Sequence, residues 1–189
     1  MKKGFTFIEI IVVLGIITMV LPALFSIIFV ILQQQNKVYR LSQVKREGDY
    51  ALSIMEHVIR DYGTALYEDD PISPTHFDTP KCDTEVPTTV LDSSTAYLKD
   101  IYGNWLHFYT VDDAATGATK IASESAQFTA GFLTTNKIKI VNYSISCSRT
   151  NTFSPPLVTI SFTAQYNTDS TDPKDTASLT YQTSIKLRN

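Results

Sequence analysis

The chain has 189 residues, 16 basic against 19 acidic, for a net charge of -3, and 43% of it is apolar. That length is one domain with an element attached. The composition is ordinary for a globular protein, and the acidic balance opposes a phosphate-binding surface. The apolar residues are unevenly spread, and no charged residue stands between Ile10 and Leu32. This run of about 23 residues exceeds the ~20 that a helix needs to cross a bilayer. Gly15, Thr18, Pro22 and Ser26 interrupt it, which membrane helices tolerate. Residues 10–32 are therefore expected to be transmembrane.

Lys2 and Lys3 precede the run, and Lys37, Arg40, Lys45 and Arg46 follow it. Flanking charge alone is thus divided. The short basic start and the long, slightly acidic remainder favour an N-terminus in the cytoplasm and a body outside. A removable secretory signal is the other reading of such a start. The run is too long for one, and Gln33-Gln34-Gln35-Asn36 offers no small-residue cleavage site.

Beyond the run, Val38, Leu41, Val44, Gly48, Ala51, Leu52, Met55, Ile59 and Tyr62 recur at spacings of three and four. They trace one face of a helix. Arg40, Lys45, Arg46, Glu47, Glu56 and Arg60 fall mostly on the other faces, and Glu56 and Arg60 have the spacing of a helical ion pair. No proline lies between Pro22 and Pro71. One helix is predicted over residues 5–66, roughly 90 Å long, apolar all round in its first half and amphipathic in its second.

Residues 67–94 hold Pro71, Pro74, Pro80 and Pro87 among Asp and Thr, and read as an irregular loop carrying at most short structured pieces. Residues 95–189 are predicted to form an antiparallel β-sheet domain. Trp105–Val111 is an aromatic-rich strand. Lys137–Ser146 alternates with a phase slip near Val141 that suggests a bulge. Leu157–Tyr166 and Leu179–Leu187 alternate cleanly, with a polar loop between them. One sheet face is expected to pack on the amphipathic half of the helix. The fold class is α+β. Two cysteines, Cys82 and Cys147, lie in the part expected to be exported. An oxidising compartment favours one disulfide between them, and two unpaired thiols are the alternative.

Lys2-Lys3-Gly4-Phe5-Thr6-Phe7-Ile8-Glu9, followed by the long apolar run, resembles the class III signal of type IV pilins and type II secretion pseudopilins. The resemblance is close over about the first thirty residues, and the architecture fits the rest. It implies a pilin-like fold in which residues 1–4 are a leader. It further implies cleavage between Gly4 and Phe5 by a membrane-embedded aspartyl prepilin peptidase, which also methylates the new terminal amine of Phe5. By the same resemblance, Glu9 is expected to neutralise the amine of a neighbouring subunit. A free α-amine ordinarily titrates at about 8, and an unpaired acid within a membrane helix is costly. A glutamate that sits at the interface, or pairs within its own chain across one helical turn, is the plainer alternative.

More loosely, the stretch Arg40-Leu41-Ser42 through Met55-Glu56-His57-Val58-Ile59-Arg60-Asp61 resembles the helix of minor pseudopilins of the J type, and the ending Gln182–Asn189 resembles the last strand of minor pilin-like proteins. Pro22 departs from the usual position of the helix-kinking proline of major pilins. The implied partners are the prepilin peptidase, other pilin or pseudopilin subunits, an inner-membrane assembly platform, and membrane lipid before assembly. The implied location is the inner membrane and then a pilus or pseudopilus.

Little else points to chemistry. His57, His76 and His107 have no zinc-site spacing. No nucleophile elbow, phosphate-cradling glycine loop or His-Glu-x-x-His occurs. Catalytic residues, metal ligands, cofactors and nucleic-acid partners are not expected. Acidic groups at Glu68-Asp69-Asp70, Asp112-Asp113 and Asp169–Asp175 lack a calcium-loop spacing and read as solvated loops. A monomeric, signal-anchored surface binding protein or adhesin is the alternative function.

Overall fold

The structure, a computed structural model, describes residues 6–68, 80–83, 89–91, 96–126, 129–149, 151, 153–170, 172 and 175–188. A single α-helix, α1, runs from Phe7 to Tyr62. Its 56 residues make a rod of about 84 Å. Pro22 lies inside it without ending it.

The helix stops at Tyr62, short of the predicted end at residue 66. Gly63 turns to extended backbone (φ -71°, ψ 124°), and its N–H still donates to Ile59 O. A side chain there would meet that carbonyl and the Leu187 side chain. Gly63–Glu68 is instead β1, an edge strand paired antiparallel to β3 (Ala96–Asp100). The Thr64 hydroxyl donates to Lys99 O at 3.0 Å, and Arg188 N–H donates to Gly63 O at 3.1 Å. Those partners are remote in sequence, so no local pattern announces the exit.

The expected single sheet is two. β1, β3, β4 (Trp105–Asp113), β5 (Ala118–Ser125) and β6 (Gly131–Phe132) form one, in the order β1-β3-β4-β5-β6. The other has the order β2-β7-β8-β9, with β2 at Thr89–Leu91, β7 at Ile138–Ser148, β8 at Leu157–Tyr166 and β9 at Ser178–Lys186. Every pairing is antiparallel. The region read as an irregular loop over 67–94 thus includes the end of β1, a 3-10 turn at Lys81–Asp83, and β2. Its residues 69–79, 84–88 and 92–94 lie outside the described residues. The β7–β8 register shifts between Val141 and Ser144, where Asn142 takes φ 54°.

The core forms where the second half of α1 lies on the four-stranded sheet. Val44, Ala51, Met55 and Ile59 are fully buried, as are Val158, Ile160 and Ala164 of β8. Tyr181 of β9 stacks on Phe162 with ring centroids 5.1 Å apart. Its hydroxyl donates toward Val44 O and Lys45 O, at 3.4 and 3.2 Å. Burial, aided by nearby Asp49, pushes that phenol up to about 12. The half-buried Tyr143 joins the two sheets, its phenol donating to Phe108 O at 3.1 Å. β9 runs in the same sense as α1, because Tyr181 meets Val44 and Lys45 while Arg188 meets Gly63. The β8–β9 loop therefore lies at the end of the body nearest the apolar half of the helix.

The predicted helix face needs correcting at both ends and in the middle. Val38, Leu41 and Tyr62 are exposed, at 66%, 39% and 41%. Glu47, expected on a solvent face, is buried. Its carboxylate accepts from Thr135 N–H at 2.8 Å and from the Thr135 hydroxyl at 2.7 Å. Buried carboxylates persist where such donors satisfy them.

Candidate functional site

The first half of α1 stands clear of the body. No residue from Thr6 to Leu32 is even partly buried. Phe7 is 79% and Met19 82% exposed. Contiguous apolar surface on this scale requires a lipid or protein cover. The mean hydropathy of the segment reaches 2.8, and this helix is long and apolar enough to cross a membrane. An α-helix can do so because it satisfies its own backbone hydrogen bonds. Pro22 has no N–H for Thr18 O, a local weak point in that ladder. The Thr18 hydroxyl bonds back to Gly15 O at 2.9 Å.

Glu9 is the sole charge of this half among the described residues. It occupies the third helical position after the N-cap residue, Thr6, which is extended at φ -83°, ψ 151°. The Thr6 N–H and hydroxyl both approach Glu9 Oε2 at 3.4 Å. An acid in the first turn satisfies helix donors that have no partner of their own and complements the positive end of the helix dipole. These contacts are long, and the carboxylate remains exposed. It keeps acceptor capacity for an external donor. Gly4 and Phe5, the expected processing residues, lie outside the described residues.

Cys82 and Cys147 are joined as a disulfide with Cα atoms 5.6 Å apart. Both are buried, and the bond ties the 3-10 turn to β7. Three of the acidic residues expected in solvated loops bond a basic side chain, Glu68 pairing with Lys81 at 3.5 Å, whereas Asp112 and Asp169 are exposed. Asp113 bonds Lys120 at 2.8 Å, which holds its carboxyl below the usual range, and Asp175 bonds Arg40.

Two functional-scale contacts were not foreseen. Arg40 Nη1 donates to both Asp175 O and Asp175 Oδ1, each at 2.6 Å, and its guanidinium lies 5.3 Å from the Tyr166 ring centroid. This clamp fixes the body to the helix eight residues past Leu32. Its partners are 135 residues apart, so no spacing reveals it. Glu47 is different. It falls between Val44 and Ala51 at helical spacing, and that periodicity alone would have placed it on the buried face.

No known protein family, no characterised protein and no solved structure matches this chain.

Proposed function

We propose that this chain is a minor pilin or pseudopilin, a structural and assembly subunit of a type IV pilus or type II secretion pseudopilus. The observation that carries the reading is the continuity of α1. One helix supplies an uncovered apolar half with a lone acid in its first turn, and a second half locked into a folded body. With no break between them, a pull or a packing contact on the apolar half moves the body as a unit. That is the mechanical requirement of a subunit extracted from a membrane into a filament. The leader-like Lys2-Lys3-Gly4-Phe5 supports the same reading.

In this proposal the helix first anchors the chain in the inner membrane, with the body outside. Prepilin peptidase cuts after Gly4 and methylates Phe5. The amine so created stands four residues before Glu9 in the sequence. Glu9 exchanges its long contacts with Thr6 for the amine of a neighbouring subunit. In a low-dielectric bundle two paired charges are favoured over two unpaired ones. Register between neighbouring helices follows from that pairing. Other pilin-like subunits and the membrane assembly platform are the partners.

The contact of Glu9 with its own Thr6 favours a second reading, a monomeric signal-anchored binding protein or adhesin. In that case Glu9 only finishes the helix. The intact mass and N-terminal peptide of the membrane-derived protein separate the two. Processing predicts a chain starting at Phe5 with one added methyl group, and a chain starting at Met1 supports the anchored monomer. Glu9→Ala is expected to insert and be cleaved normally yet co-purify poorly with the other filament subunits. Normal incorporation of Glu9→Ala would remove its pairing role.

A further inference from the structure

The end of the body nearest the apolar half of α1 is a tied platform. Asn167 follows β8, and its side-chain amide donates to Thr116 O and to Asn136 O, each at 3.0 Å. Its backbone N–H donates to Lys137 O at 2.9 Å. One residue thus links the β4–β5 turn, the approach to β7 and the β8–β9 loop. The Arg40–Asp175 clamp fixes the same end to the helix.

Its height above the apolar run follows from the helix. Arg40 stands eight residues past Leu32, about 12 Å along the axis. Helical side chains lean toward the N-terminus, so Asp175 lies below the level of the Arg40 Cα. Gln33, seven residues before Arg40 and on the same helix face, is partly covered, whereas every described residue before it is exposed. The Arg40–Asp175 contact therefore puts the lower edge of the body within about two helical turns of the run. With the run in the hydrocarbon core, that edge faces the headgroup layer, about 5–7 Å thick per leaflet. The surface offered there is charged with both signs, through exposed Lys37 and Lys137 and exposed Asp112, Asp169 and Asp172.

We propose that this platform seats on zwitterionic phospholipid headgroups before assembly, the lysines facing phosphate and the aspartates facing the ammonium groups. The seat holds the body upright on the membrane in one orientation. The inference rests on the membrane placement of residues 10–32, and the test monitors that placement separately.

The full chain is placed in vesicles of phosphatidylcholine and phosphatidylethanolamine containing a nickel-chelating headgroup lipid. Nitroxides are attached one at a time at Thr116→Cys on the platform, Phe153→Cys on the opposite end, and Leu24→Cys in the apolar run. The native cysteines are joined to each other and do not react. Thr116→Cys is expected to relax several-fold more strongly than Phe153→Cys, and Leu24→Cys to be accessible to oxygen. Equal, weak nickel relaxation at Thr116→Cys and Phe153→Cys, with Leu24→Cys in the bilayer, would overturn the seat alone. Loss of oxygen access at Leu24→Cys would overturn the membrane placement and the seat with it.

Discussion

Replacing Cys82 and Cys147 together by alanine is expected to lower the stability of the body by about 4 kcal/mol. The disulfide joins residues 65 apart in sequence. In the chain-entropy account, a cross-link of that span removes much of the freedom of the unfolded chain, and longer loops lose more. Both cysteines are buried, so their packing adds to the effect. The 3-10 turn at Lys81–Asp83 also loses its covalent hold on β7. Urea unfolding of the full chain in detergent micelles, followed by the fluorescence of Trp105, the one tryptophan, measures the loss. A double variant within 1 kcal/mol of the parent would mean that noncovalent packing already fixes this segment.

The second large effect is expected at Gly48→Ala. Alanine normally improves a helix by about 1 kcal/mol over glycine. Here the added Cβ would lie 2.7 Å from the Tyr181 hydroxyl oxygen and closer still to Cε2 and Cζ of the same ring. The ring has little room to retreat. It is stacked on Phe162, and its hydroxyl is held against the carbonyls of Val44 and Lys45. Overpacking costs about 1–3 kcal/mol, and losing the tyrosine bond costs about 1 more. The net change is expected to be a destabilisation of about 2 kcal/mol, despite the gain in helix propensity. In a Tyr181→Leu background the sign should reverse, because the clash is gone and only the propensity gain remains. A destabilising Gly48→Ala in both backgrounds would show that the close approach of α1 to β9 is not the reason for glycine.

These two positions mark the boundary between what was legible in the chain and what was not. Gly48 was visible as a member of a helical stripe, but nothing local announced the aromatic ring pressed against it from 133 positions later. The two cysteines were visible too. Whether they met depended on a distance that only the packing of the 3-10 turn on β7 supplies. Glu47 shows a third relation. Its place on the buried stripe was readable from spacing, while its partner, Thr135, 88 residues away, was not.

The apolar half of α1, the amphipathic half that follows, and the alternation of β8 and β9 are written in the sequence by itself, because each rests on a period of a few residues. Glu9 stood out on the same ground, as a charge inside an uncharged run. Only the tertiary structure decided that the helix ends at Tyr62, that the strands divide into two sheets, and that Arg40 and Asn167 tie the lower end of the body. Those outcomes depend on hydrogen bonds and contacts between remote segments. Gly63–Glu68 could have continued the helix on local preference, and pairing with β3 outweighed that preference.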